Sequence, residues 1–171
     1  MKKNLILTGM LGVGKSTIGR LLAIKLNLNF FDVDKIIEKE QGLLIKEIFE
    51  TKGEDNFRAI EKKTSLKLLE KHSAVVALGG GAFMDKDIRN KVLKSSISFW
   101  LNASLQTLID RASSSDKRPL LNNKNIGKKL SEIYENRKDI YCLANYKINC
   151  DKLSKTIIIN EISKIYEQNR D

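Results

Sequence analysis

Short apolar runs alternate along this chain with longer stretches in which apolar residues recur every three or four positions. That alternation predicts strands separated by helices. Leu5-Ile6-Leu7 suits a buried strand, and Ile18, Leu21, Leu22 and Leu26 follow it at helical spacing. Residues 29–34 read as a second strand ending in Asp32 and Asp34, and a helical pattern begins at Lys35. A short amphipathic helix over 45–50 ends near Gly53, and a longer one runs from about Glu54 to Lys71 with Phe57, Ile60, Thr64 and Leu68 on its less polar face. Ala74-Val75-Val76-Ala77-Leu78 is the clearest buried strand, and Gly79-Gly80-Gly81 comes directly after it. Then come a surface helix over 85–94, a strand over 97–101 with Trp100 in the core, and helices over 104–111 and 126–143. A strand over 146–149 and a packing helix marked by Ile158, Ile162, Ile165 and Tyr166 close the series. The expected architecture is a three-layer α/β/α fold around a mainly parallel five-stranded sheet. Residues 112–125 form a long polar, helix-poor segment holding the only proline, Pro119, and its length suits a mobile lid better than a tight connection. Residues 126–171 are too few for a second domain, so one domain spanning 1–171 is expected.

Composition narrows the picture. A chain of 171 residues with 42% hydrophobic and 30% charged residues can bury a core without staples, and no apolar run approaches the roughly 18 residues of a membrane span. The N-terminus enters the first strand directly and leaves no room for a signal peptide, so a cytoplasmic location is expected. Cys142, Cys150 and the single His72 exclude a zinc-ligand set and a Cys/His catalytic pair; both cysteines are expected as free thiols packed as small apolar residues. The net charge of +10 comes mostly from lysines scattered over many helices, which favours a solvated surface over a nucleic-acid face. Such a field also gathers small anionic substrates.

Candidate chemistry starts at residues 9–17, Gly9-Met10-Leu11-Gly12-Val13-Gly14-Lys15-Ser16-Thr17, which fit the phosphate-loop pattern G-x-x-x-x-G-K-[ST]. Gly12, Val13, Gly14, Lys15, Ser16 and Thr17 are expected to cradle nucleotide phosphates, with Lys15 on the outer phosphates and the Ser16 hydroxyl on a magnesium ion. Strand, loop and helix stand in the order that aims free N–H groups and the helix dipole at an anion. In an open parallel sheet ligands bind beyond the carboxyl ends of the strands. Asp32 and Asp34 are therefore candidates for a magnesium-water ligand and a base facing an acceptor hydroxyl. Capping of the next helix by Asp34 is the plainer account of one of them. Arg58 sits in a first helical turn, against the dipole, which hints at a purpose; the plainer reading is an exposed ion pair. The glycine triplet either presents N–H groups to a substrate or is a flexible connection. Arg118 lies in the flap, where it would meet transferring phosphate only on closure. Tyr134, Arg137 and Tyr141 share one side of a helix.

Together these motifs resemble the shikimate kinase family. The run from Gly9 through Gly19-Arg20-Leu21-Leu22-Ala23 is similar to its first motif, Phe31-Asp32-Val33-Asp34 to its acidic motif, and Gly53-Glu54-Asp55-Asn56-Phe57-Arg58-Ala59-Ile60-Glu61 to its third. Gly79-Gly80-Gly81, Arg118-Pro119-Leu120-Leu121 and the helix with Arg137 and Tyr141 come next, in the family's order. The resemblance implies a P-loop, nucleoside-monophosphate-kinase-like fold and transfer of the γ-phosphoryl group of ATP to the 3-hydroxyl of shikimate, a step of aromatic amino acid biosynthesis. It further implies Asp34 as the base, with Arg58, Gly80 and Arg137 holding the substrate and Phe49 and Phe57 lining the ring pocket. Lys15, Ser16 and Asp32 match the phosphate and Mg2+ positions, Arg118 the flap arginine, and Arg111 a flank of the adenine. ATP and shikimate are then the partners of a monomer, with no nucleic acid and no membrane. At Asn149-Cys150-Asp151 the chain departs from the family's adenine loop. A sugar-acid or nucleotide acceptor is the nearest alternative, whereas a regulatory GTPase would need an Asn-Lys-x-Asp motif that Asn123-Lys124-Asn125-Ile126 lacks.

Overall fold

The computed structural model describes residues 2–113 and 123–171. Five strands, β1 (Asn4–Thr8), β2 (Asn29–Asp32), β3 (Ala74–Ala77), β4 (Ser96–Asn102) and β5 (Tyr146–Asn149), pair in the order β2-β3-β1-β4-β5, and every pairing is parallel. The helices are α1 (Lys15–Leu26), α2 (Val33–Gln41), α3 (Ile45–Leu69), α4 (Lys86–Ser95), α5 (Leu105–Ser113), α6 (Asn123–Tyr141) and α7 (Lys155–Asn169), with a 3-10 turn at Ala82–Met84. The centre of the sheet reads as continuous apolar sequence because helices cover both faces. Leu5, Ile6, Leu7, Val75 and Val76 are wholly buried. Registers such as Leu7 with Ala77 and Phe99, and Asp32 with Ala77, bring the carboxyl ends of β1 to β4 to one edge. No helix among the described residues is long and apolar enough to cross a membrane.

The structure corrects three local expectations. The second strand stops at Asp32, and Asp34 belongs to the first turn of α2. The cap of that helix is therefore Asp32, whose Oδ1 accepts from the Lys35 N–H at 3.2 Å, and not Asp34. Cys150 is buried as expected, but Cys142 is exposed.

The two helices expected around Gly53 are present, joined without a loop. Gly53 alone leaves helical geometry, with φ 79° and ψ 167°, a region open essentially to glycine. The bend aims the second half of α3, with Phe57, Arg58 and Glu61, as a unit separate from the first half with Ile48 and Phe49. A methyl at Gly53 would meet open space, so backbone strain is the whole cost of Gly53→Ala. That substitution should destabilise the fold by about 1–3 kcal/mol, measured as a lower midpoint in urea with the slope unchanged. An unshifted midpoint would mean the bend is not constrained.

Candidate active site

The phosphate loop runs from β1 into α1. Gly14, at φ 108°, makes the final turn into the helix, which has no side-chain cap and no acidic residue in its first turn. Its leading N–H groups and positive dipole end are thus left for an anion. Ser16 and Thr17 are exposed there. Lys15 is buried, and its Nζ donates to the carbonyls of Gly9 at 2.8 Å and Met10 at 3.0 Å. Burial disfavours its charged form and lowers its pKa to about 8, against the pull of Asp34 and Asp32. The Arg111 guanidinium donates to the Val13 carbonyl at 2.9 Å and holds the loop from α5.

Facing the loop, the glycine triplet after β3 forms a surface against which charged side chains press. A methyl on Gly79 would lie 2.7 Å from Asp34 Oδ1 and overlap Glu61 Oε1; one on Gly81 would lie 2.9 Å from Arg58 Cζ. The triplet serves close approach and is more than a connection. Arg137 Nη1 donates to the Gly80 carbonyl at 3.0 Å, and the Tyr141 hydroxyl donates to the same oxygen. A cleft of about 390 Å³ opens here, lined by Arg58, Glu61, Gly81, Met84 and Arg137 among others. That is room for a small molecule. Asp34 is not in its lining; it joins this group across Gly79.

Arg58 fulfils both readings of it at once. Its guanidinium pairs with Glu61 at 2.6 Å and Glu54 at 3.2 Å, yet it is half-buried, lines the cleft and lies over the Phe57 ring at 5.2 Å. Phe49 and Phe57 pack beside it, their rings tilted by 37° with centroids 4.6 Å apart. Glu61, buried beneath Arg58, was missed by the sequence reasoning, although its i,i+3 spacing from Arg58 was the available signal. Burial pushes the Glu61 carboxyl up, with Arg58 opposing. Burial likewise raises the Asp34 carboxyl, with Lys15 opposing most strongly.

The predicted residues thus fall into two facing groups. Gly12, Val13, Gly14, Lys15, Ser16 and Thr17 make one, and Asp34, Arg58, Gly80 and Arg137 the other. Asp32 stands at the edge between them as the cap of α2. Tyr134 turns aside to Asn102 Oδ1 at 3.2 Å. Arg118 and most of the expected lid lie outside the described residues. At the departure 149–151, the Asp151 carboxylate accepts from Ser104 N at 2.9 Å and Thr107 Oγ1 at 2.8 Å, bracing the start of α5. No group of three or more His, Cys, Asp or Glu among the described residues is arranged to hold a metal ion.

A family model described as shikimate kinase matches residues 11–167. The shikimate kinase of Sulfurihydrogenibium sp. (strain YO3AOP1) is 42% identical over 160 residues, covering 94% of this chain and 95% of that protein. That of Persephonella marina is 41% identical, covering 94% and 96%. The solved structure of shikimate kinase from Acinetobacter baumannii in complex with shikimate aligns with a TM-score of 0.91 at 30% identity, over 99% of this chain and 95% of that one.

The buried carboxylate of Asp34 carries a stability cost with a definite pH signature. A carboxyl raised in the folded state is penalised while ionised, so the penalty is full above the raised value and fades as pH falls from there to the ordinary carboxylate range. Asp34→Asn should therefore have a higher Tm than the parent at pH 7, with an advantage that shrinks on acidification. A lower Tm at pH 7 would mean that Asp34 is held by favourable contacts instead.

Proposed function

The chain belongs to the shikimate kinase family and is a small-molecule kinase, and from that premise we propose how its residues transfer the γ-phosphoryl group of ATP to the 3-hydroxyl of shikimate. The observation that carries the reading is contact between donor and acceptor groups across Gly80: the Leu11 backbone N of the phosphate loop and Arg137 Nη1 lie 3.4 Å and 3.8 Å from where its Cβ would stand. A reaction that needs mainly alignment and charge neutralisation requires such proximity.

On this reading the N–H groups of residues 12–17 cradle the ATP phosphates, and Lys15 exchanges the carbonyls of Gly9 and Met10 for the outer phosphates. The chain fits a magnesium ion held chiefly by the nucleotide, since the ion takes few protein oxygens when phosphates are present. The Ser16 hydroxyl, and Asp32 through water, would hold it. When bound, Mg2+ neutralises charge on the phosphate oxygens. Arg58 and Arg137 grip the shikimate carboxylate beside the Gly80 backbone, and the two phenylalanines wall the ring. Asp34 accepts the proton of the 3-hydroxyl as that oxygen attacks phosphorus, and ADP leaves. Burial that raises the Asp34 pKa strengthens it as a proton acceptor. Arg118 is the flap arginine by resemblance, and Arg111 supports the nucleotide side. On this reading the working enzyme is a monomer.

Incubation with ATP, Mg2+ and shikimate should yield ADP and shikimate 3-phosphate. Asp34→Asn should lower kcat by about 10²–10⁴-fold with ATP affinity retained. Turnover of gluconate or a nucleotide in place of shikimate would overturn the substrate, and near-normal turnover by the variant would overturn the role of Asp34. Lys15 gives an independent test. It binds phosphate as a cation, and with a free-state pKa of about 8 it must take up a proton at higher pH. ATP affinity measured by calorimetry should therefore fall roughly tenfold between pH 7 and pH 9. A flat profile would mean Lys15 is already charged throughout.

A further inference from the structure

The Gly80 carbonyl accepts from two donors. Arg137 Nη1 reaches it at 3.0 Å from the cleft wall, and the Tyr141 hydroxyl reaches it from beneath. A carbonyl oxygen has two lone pairs, so both bonds can form together. The donors differ in freedom. Tyr141 is wholly buried, and its ring stacks on Trp100 with centroids 5.8 Å apart and planes 25° from parallel. Trp100 is itself buried, and the Lys147 ammonium lies 4.5 Å from its ring centroid. Burial pushes the Tyr141 phenol up, against the influence of Arg137, so it stays protonated and keeps donating. Arg137 is half-buried and faces the cleft, on a side chain able to swing.

An arginine that takes hold of an anion must weaken or give up its bond to a neutral carbonyl. The carbonyl it leaves would then be an unsatisfied acceptor in a partly buried place, a cost that subtracts directly from binding. Resting on the reading that Arg137 grips the carboxylate of shikimate, we propose that Tyr141 is a positioning residue whose hydroxyl keeps the Gly80 carbonyl satisfied when Arg137 leaves it for the substrate. The same bond steadies the neighbouring backbone. The Gly80 carbonyl and the Gly81 N–H share one planar peptide and point in opposite directions, so anchoring the oxygen to α6 fixes where that N–H is aimed.

Shikimate titrations by calorimetry on four proteins test this: parent, Tyr141→Phe, Arg137→Ala and the double variant. Tyr141→Phe keeps the ring and its stack, and should weaken shikimate binding roughly five- to tenfold, with ATP affinity and Tm close to the parent's. In the Arg137→Ala background the carbonyl has no departing partner, so adding Tyr141→Phe should leave shikimate affinity unchanged. An equal loss in both backgrounds, or none in the parent, overturns the proposal. A loss of ATP affinity and Tm together with shikimate affinity assigns Tyr141 to general packing and overturns it as well. If Arg137→Ala itself leaves shikimate affinity intact, the carboxylate grip fails first, and this role for Tyr141 fails with it.

Discussion

Three consecutive residues without side chains, set at the carboxyl end of β3, let a carboxylate, a carboxylate–guanidinium pair and the phosphate loop approach one short piece of backbone. Any side chain at Gly79 would displace Asp34 and Glu61, and any at Gly81 would displace Arg58. The parallel sheet makes this edge possible. With β1 between β3 and β4, the loop after β1 and the triplet after β3 emerge side by side, and β2 delivers Asp32 and then Asp34 next to them. Helices α3 and α6 then need supply only side chains of the right reach.

Gathering charge in this way works against folding. Lys15 and Asp34 are each shifted toward their neutral forms by burial, and each is the other's largest compensating charge. The Glu61 carboxylate is hidden under Arg58 and is penalised on its own account. Ions withdrawn from water recover that loss only when geometry and partners are good. In the ligand-free protein the recovery is partial. On the proposed reading, polyphosphate supplies Lys15 with the counter-charge it lacks, so part of the nucleotide's binding energy is the relief of a cost already present in the fold.

Much of this was legible in the sequence because it is local. The phosphate loop is contiguous, the buried strands are uniformly apolar, and Gly53 broke the helical pattern where the backbone bends. The features that were not legible are pairwise and depend on direction. Nothing in a run of residues says that the cap of α2 is Asp32 and not Asp34, because a difference of two residues in where β2 ends decides it. Glu61 read as one more charged residue on a helix until the packing of α3 against the triplet turned it inward. Tyr134 and Tyr141 share a helical stripe with Arg137, yet only Tyr141 reaches Gly80, since the other meets Asn102 first. The segment around Arg118 lies outside the described residues and adds nothing to this comparison.

Three cations among the described residues of the site, Lys15, Arg58 and Arg137, are held in unlike ways, and the differences decide which of them can adjust to a ligand. Lys15 donates to two neutral carbonyls and Arg137 to one, so neither has to break a direct ion pair in order to move. Arg58 is paired with a carboxylate that is almost completely buried. Pulling Arg58 away would leave Glu61 as an uncompensated ion in a low-dielectric place, a far larger cost than a carbonyl left behind. On the proposed reading Arg58 is therefore the fixed arm of an acceptor clamp, able to offer a ligand only the donors that Glu61 and Glu54 do not already use. On the same reading Arg137 is the arm free to move. A fixed guanidinium sets the position of the carboxylate, a mobile one closes on it, and a neutral carbonyl with a second donor keeps the cost of closing small.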